Sequence, residues 1–323
     1  MILYSSEPLL SYIVYSYIQH LSEMPRWSTS EQHQIDEVRK RLKDAGLLDR
    51  PAFPEVVGDR KIVRFLRGHD HNIDKAYDMM AKFLNWRKEN NVDQIRRDIV
   101  DGGMDHPTKF PDGEKILGLI PQLVIAPDAL DNTGSPICVD QYNFSPSHVL
   151  ANIPLEKYIH FVIYTLEYRS LIVEQLSEER EQEFVKSLNN DPEALAKAAP
   201  YGVLVHTLII RDLNGVGFEH IGARGQEIIR AVINVSSDNY PELMRKCFMI
   251  NMPWLFNTIW FFIKGLLAAR TVAKVNISGS SYMSELEKDI PKDKIPAMVG
   301  GTYKDNRTSF PFNKEYLNKD YSP

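Results

Sequence analysis

The stretch from Tyr240 to Tyr303, YPELMRKCFMINMPWLFNTIWFFIKGLLAARTVAKVNISGSSYMSELEKDIPKDKIPAMVGGTY, decides how the chain is read. Its order is a strand (CFMINM), an apolar helix, a short basic turn, a strand (KVNISG), a polar helix (YMSELEKDI) and a Pro/Gly-rich ending. The central run, WLFNTIWFFIKGLL from Trp254 to Leu267, is the anomaly. A membrane-spanning helix needs roughly 20 mostly apolar residues, and this run is shorter and broken by Asn257, Thr258 and Lys264. It is also too apolar for a solvated surface helix. On composition alone, a helix buried all round in a large core accounts for it as well as any functional role does.

Around this stretch the composition is globular: 323 residues, 43% hydrophobic and 25% charged, enough to bury a large core as one domain or two. A formal net charge of -5 gives no global attraction to phosphate backbones, which argues against nucleic acid and confines any anion binding to a local basic patch. Cys138 and Cys247 both follow apolar or buried-type contexts and fit reduced thiols in a reducing cytosol rather than a disulfide framework. The first 30 residues open on MILYSSEPLLSYIVYSYIQHL, which lacks the basic start and small-residue cleavage site of a leader. This extension either packs on the domain or lies on a membrane surface, and Tyr4, Tyr12, Tyr15 and Tyr17 suit both.

Upstream, Ser28 and Glu31 have capping-box spacing, and Ile35, Val38 and Leu42 recur at helical intervals until Gly46. DRKIVRFLRG predicts a second helix with Ile62, Phe65 and Leu66 on one face. NIDKAYDMMAKFLNWRKEN predicts a third, carrying Ala76, Met79, Met80 and Phe83. These make a helical unit over 31–98. After the Gly/Pro/Asp-rich loop DGGMDHPTKFPDG, a second unit over 108–302 alternates strands and helices, followed by a tail over 303–323. Its predicted strands are KILGLI, QLVIA, PICVDQY, VLVHTLIIRDL, CFMINM and KVNISG, with DNTGS as a turn. Its predicted helices are LEKYIHFVIYTLEYRSLIVEQL and GARGQEIIRAVINVSSDN, besides the apolar run and YMSELEKDI. SEEREQEFVKSLNNDPEALAKAA reads as an exposed helical insertion. The alternation predicts an α/β fold with a mixed, largely parallel sheet.

Catalytic patterns are incomplete. NGVGFEHIG places His220 where a dinucleotide fingerprint requires its third glycine. SGSSYM places Met283 where a nucleophile elbow at Ser281 requires glycine. His69 to His71 have no companion cluster at metal-site spacing and read as a polar turn between helices. Nothing in the sequence demands catalysis, a metal or a cofactor.

In this order, the tokens YPE, INMPWLF, TVAK, SGSSY, IP and GG, together with RFLRG at Arg64–Gly68, WRK at Trp86–Lys88 and RDLNGV at Arg211–Val216, resemble the CRAL-TRIO family. Within it they are most similar to the phosphatidylinositol transfer proteins of the yeast secretory type, over about residues 31–302. The resemblance implies a helical unit set against a mixed sheet that encloses one phospholipid, and a non-enzymatic carrier. It implies a monomer in the cytoplasm that meets Golgi or endosomal type membranes transiently. There it serves phosphoinositide signalling and vesicle trafficking, handing phosphatidylinositol to other membranes or to a phosphatidylinositol kinase. The apolar run becomes a gate helix bearing Trp254, Leu255, Phe256, Trp260, Phe261 and Phe262. A gate is needed because releasing two chains of about 16 carbons into water costs on the order of 20 kcal/mol or more.

The same resemblance places the inositol phosphate on Thr271 and Lys274, with Glu242 of YPE in support. Lysine supplies charge and threonine a hydroxyl donor. Where the family has an Arg-Lys pair after its arginine helix, this chain has His69 and Asp70, which removes two positive charges and adds a negative one. Arg67 or Arg270 are the cations available to compensate. The choline site of the second lipid, phosphatidylcholine, maps onto Thr207, Ile209, Cys138 and Glu174. Ile209 has lost the hydroxyl, and Cys138 and Glu174 the aromatic faces that suit a quaternary ammonium. The expectation is selective phosphatidylinositol binding, or a CRAL-TRIO carrier of another hydrophobic ligand of sterol, tocopherol or retinoid type.

Overall fold

The computed structural model describes residues 26–49, 52–188, 191–253, 260, 261 and 263–321. Most of the N-terminal extension, and Trp254, Leu255, Phe256 and Phe262 of the apolar run, therefore lie outside the described residues.

Among the described residues five strands form one sheet in the order β1-β2-β3-β4-β5, with bounds Gln122–Leu130, Pro136–Gln141, Thr207–Asp212, Met244–Ile250 and Val275–Ile277. β1 runs antiparallel to β2, and every other neighbour is parallel. The β1–β2 turn is the expected DNTGS. Asp131 Oδ1 accepts from the amides of Thr133 and Ser135, both at 2.8 Å, which closes it. Strand alternation then separates two faces. Ile137, Val139, Leu208, Ile210, Phe248 and Ile250 pack with the helix Met283–Asp289 on one side. Thr207, Ile209, Arg211, Cys247 and Met249 point to the other. The Gly-Gly ending folds back under this layer: Gly300 has φ 82° and a Cβ on Gly301 would lie 2.0 Å from the Ile295 carbonyl oxygen. Neither position accepts a side chain without moving backbone.

Two sequence expectations change. KILGLI is not a strand but the helix Gly113–Leu119, ending before Pro121. A six-residue apolar run carries no period that distinguishes helix from strand. The long helix also does not stop at Leu176; it runs from Leu155 to Ser187. No Gly or Pro interrupts that span, and its middle, Phe161 to Gln175, is buried all round. The continuation is not simply exposed, because Ser177 and Glu181 are buried.

The three helices expected before the sheet form, and the short helices Pro54–Val57 and Val92–Val100 join them. Ser28 caps Thr29–Asp44 by accepting from the Glu31 amide at 3.2 Å, and Gly46 follows its end at φ 66°. Asp59–Gly68 and Ile73–Glu89 follow. The helix Asp59–Gly68 is not amphipathic in the ordinary sense, since Arg60, Lys61 and Arg64 are buried beside Ile62, Phe65 and Leu66. Arg60 Nη1 and Nη2 meet Glu174, Glu178 and Glu181 of the long helix at 2.9, 2.9 and 2.7 Å. The tail returns to the same cluster, with Tyr316 donating to Glu174 at 2.6 Å and Leu317 fully buried.

Lys61 is held differently. Its Nζ lies 4.2 Å from the Phe83 ring centroid and 5.1 Å from that of Tyr240, and donates to the Asn239 carbonyl at 3.4 Å. Burial lowers its pKa to about 7. Between pH 7 and 9 the unfolded chain holds a proton that folded Lys61 gives up, so stability rises with pH, by on the order of 1 kcal/mol per unit. Above pH 9 the unfolded state ionises Cys138 and Cys247, whose folded thiols burial pushes up to about 12 and 11, and the gain turns to loss. Urea unfolding of Lys61→Met should show a higher midpoint at pH 7 and no rise from pH 7 to 9. An unchanged slope would assign the pH dependence to other groups.

Candidate functional site

The cavity-facing side of the sheet, the long helix and the helix Ala223–Asn239 enclose a cavity of about 340 Å3, lined mainly by apolar side chains such as Val162, Leu166, Ile209, Ile228 and Val232. The described end of the apolar run closes its wall. Ile263 and Leu267 line the cavity, and Trp260 packs with Leu213, Val216, Cys247 and Met249. Phe261 points away and is 84% exposed. This is helical spacing, with 260, 263 and 267 inward and 261 outward. Among the described residues no helix is long and apolar enough to cross a membrane.

At one end of the cavity the chain gathers Thr271, Lys274, Glu242, Arg270 and His69 on the wall. Lys274 follows the short helix Ala269–Ala273; its Nζ lies 2.8 Å from Glu242 Oε2 and donates to the Met244 carbonyl at 3.0 Å. Glu242 sits at φ 53°, a conformation uncommon for a side chain of this length. Arg64 holds it there, bonding through one guanidinium nitrogen to the Glu242 carbonyl and through the other to the Val205 carbonyl. Gly68 completes the support, since a Cβ there would lie 3.0 Å from Pro241 Cβ. The arginine helix and the YPE turn are therefore in direct contact.

Arg270 reaches this group but is shared: it bonds to the Arg67 carbonyl, pairs with Asp70, and lies 3.5 Å from Glu242 Oε1. Asp70 and His71 adopt φ 53° and 59°, so HDH is a helix-ending turn that aims an acid at the arginine. Arg67 does not line the cavity; its Nε pairs with Glu31 at 2.9 Å. Burial, then the charges of Arg64, Lys274, Arg67 and Arg245, lower the His206 pKa to about 3 behind this wall. Burial, then Arg270 and Lys75, lower that of His69. Lys274 and Arg270 both have Glu242 as a partner, so the cations at this end are partly neutralised within the protein.

Of the four positions mapped to a choline site, Thr207, Ile209 and Cys138 lie together on β3 and β2, and Glu174 does not join them. Thr207 is on the wall, but its hydroxyl donates to the Leu243 carbonyl at 3.1 Å. Ile209 is on the wall without a hydroxyl. Cys138 pairs beside it in the sheet but is covered within the core and does not line the cavity. Glu174 is elsewhere, one turn of the long helix having aimed it at Arg60 and Tyr316.

The family assignment rests on this architecture and on the sequence together. The CRAL/TRIO domain family matches residues 123–301. The chain is 30% identical to Sec14 cytosolic factor of Schizosaccharomyces pombe over 85% of its own length and 83% of that protein. It belongs to the CRAL/TRIO family. It is also 24% identical to phosphatidylinositol/phosphatidylcholine transfer protein SFH9 of Arabidopsis thaliana, covering 85% of this chain but 42% of the plant protein. Among solved structures, the crystal structure of Sfh5 matches with a TM-score of 0.58 and 16% identity over 92% of this chain and 94% of that one, a likeness of fold.

Residues that hold the CRAL/TRIO site from behind carried no sequence reading of their own. Arg87 of WRK grips buried Glu167 with both guanidinium nitrogens, at 2.8 and 3.0 Å, and Tyr240 of YPE donates to the same carboxylate at 2.7 Å. Two motifs far apart in sequence thus meet at one buried acid of the long helix. Arg169, Asp140 and Arg211 also line the cavity. Arg211 belongs to the RDLNGV motif, and the inward side of its strand shows only once β3 is paired.

Proposed function

We propose that the protein binds one phosphatidylinositol in this cavity and exchanges it at membrane surfaces. The observation that carries the reading is the grouping of Lys274, Thr271, Glu242, Arg270 and His69 on the wall at one end of an apolar cavity. Lys274 meets the phosphate with a charge-assisted bond, Thr271 donates a hydroxyl, and Glu242 positions Lys274 and accepts from inositol hydroxyls. The names of the relatives in fission yeast and Arabidopsis support phospholipid transfer as the activity class. Phosphatidylcholine is a poor second ligand, because Thr207 spends its hydroxyl on Leu243 and Ile209, Cys138 and Glu174 offer no choline cage. The cellular role that follows is that of a non-enzymatic cytoplasmic monomer. It visits Golgi or endosomal type membranes and presents phosphatidylinositol to a kinase.

Loss of a hydrogen bond to a charged group costs about 1.5 kcal/mol or more. Lys274→Ala is therefore expected to reduce phosphatidylinositol transfer between vesicles about 10-fold, with the thermal midpoint little changed. Phosphatidylcholine transfer should be low in both proteins. Strong phosphatidylcholine transfer by the unsubstituted protein would overturn the selectivity, and unaltered phosphatidylinositol transfer by the variant would overturn the headgroup site. A carrier of a sterol, tocopherol or retinoid type ligand is the second reading, favoured by the same loss of choline contacts.

A further inference from the structure

The cavity has a second polar pole. Lys274 bonds to Met244, which pairs with Thr207 at the start of β3, so the headgroup residues sit at that end. Arg211 lies four residues further along the same strand, about 13 Å away at strand rise. There it pairs in register with Asp140 of β2. Its Nε is 3.5 Å from Asp140 Oδ2, without hydrogen-bond geometry, and is buried with no hydrogen-bond partner. Arg169, from the long helix, places Nη2 3.2 Å from Asp140 Oδ1 and donates from Nε to the Val124 carbonyl at 2.6 Å. All three side chains line the cavity.

Among the described residues the charge count does not close. Two guanidinium groups, protonated at any accessible pH, share one carboxylate. Tyr142, also on this wall, supplies no second anion, because burial raises its pKa. An excess positive charge half-buried on the wall of a largely apolar cavity is costly unless something pairs with it. A guanidinium fork turned to an apolar cavity matches a planar or tetrahedral oxyanion.

We propose that this pole binds the head of a monoanionic amphiphile, a carboxylate or phosphate oxyanion carried on a long alkyl chain that fills the apolar wall toward Lys274. The inference gives a chemical class to a second ligand. It does not depend on which lipid occupies the Lys274 end, and its test uses no phosphatidylinositol, so the two readings fail separately.

The test is displacement of the neutral probe 1-aminoanthracene from the full-length protein by oleate, oleyl alcohol, oleoyl lysophosphatidate and inorganic phosphate. Oleate is expected to bind about 10-fold or more tightly than oleyl alcohol, which has the same chain without the charge. Arg211→Met should remove that ratio while keeping or raising the thermal midpoint of the ligand-free protein, because it deletes the excess charge. Asp140→Asn, which adds to the excess, should widen the ratio. Lysophosphatidate matching oleate would extend the site to lipid phosphates, whereas oleate alone would restrict it to carboxylates; both support the pole. Equal binding of oleate and oleyl alcohol, an oleate advantage that survives Arg211→Met, a ratio that narrows in Asp140→Asn, or displacement by inorganic phosphate alone would overturn it.

Discussion

Arg87→Met is expected to lower stability by about 3–5 kcal/mol, because it leaves the Glu167 carboxylate buried with a tyrosine hydroxyl as its remaining partner. For a chain of this size that corresponds to a fall in thermal midpoint on the order of 10 °C. The effect should be largely repaired by the double variant Arg87→Met/Glu167→Gln, since the cost lies in the orphaned charge rather than in the loss of a favourable pair. Thermal unfolding of the two single variants and the double variant checks this. If Arg87→Met costs less than about 1 kcal/mol, the buried junction between WRK, YPE and the long helix does not hold the helical unit to the sheet as described.

Phe261→Glu is expected to do the reverse, sparing the fold and disabling exchange. Phe261 is 84% exposed, so its replacement removes little buried surface and should shift the thermal midpoint by no more than a degree or two. On a membrane that side chain would enter the headgroup and upper acyl region. Losing its burial and adding a carboxylate there costs about 3 kcal/mol together, or roughly 100-fold in lipid exchange. The comparison to make is vesicle transfer rate against thermal midpoint in the same preparation. Unfolding of the variant would mean that the segment is a piece of buried core, and normal transfer would mean that this face does not meet lipid.

The contrast between these two phenylalanine and arginine positions shows what the sequence discloses. Strands rich in Val, Ile and Phe, the Ser28–Glu31 cap and the turn DNTGS are local signals, and each of those elements forms where it is expected. KILGLI fails because six apolar residues fit either period. Arg60, Lys61, Arg64 and Arg87 fail for another reason: periodicity assigns charges to the solvent side, and the groups that bury them, Glu174 and Glu181 for Arg60, Asn239 for Lys61, Val205 and Glu242 for Arg64 and Glu167 for Arg87, are distant in sequence. Glu174, Glu178 and Glu181 have the spacing of one helix face, but the expected helix ends at Leu176 and the segment after it reads as an exposed insertion, so the row that meets Arg60 is divided between two elements. The candidate site divides the same way. The family resemblance named Thr271, Lys274 and Glu242. It did not reveal that Arg64 fixes the Glu242 backbone, that Asp70 draws on Arg270, or that Arg211 turns into the cavity. Those facts depend on β3 and β4 lying side by side in register.

The central claim is that the cavity carries an inositol phospholipid. Native mass spectrometry of the full-length protein, purified without detergent, measures this directly. The account predicts a one-to-one complex whose added mass and fragmentation are those of phosphatidylinositol, with lower occupancy in Lys274→Ala. A protein that carries a neutral sterol, tocopherol or retinoid instead, or whose phospholipid is phosphatidylcholine, would contradict it.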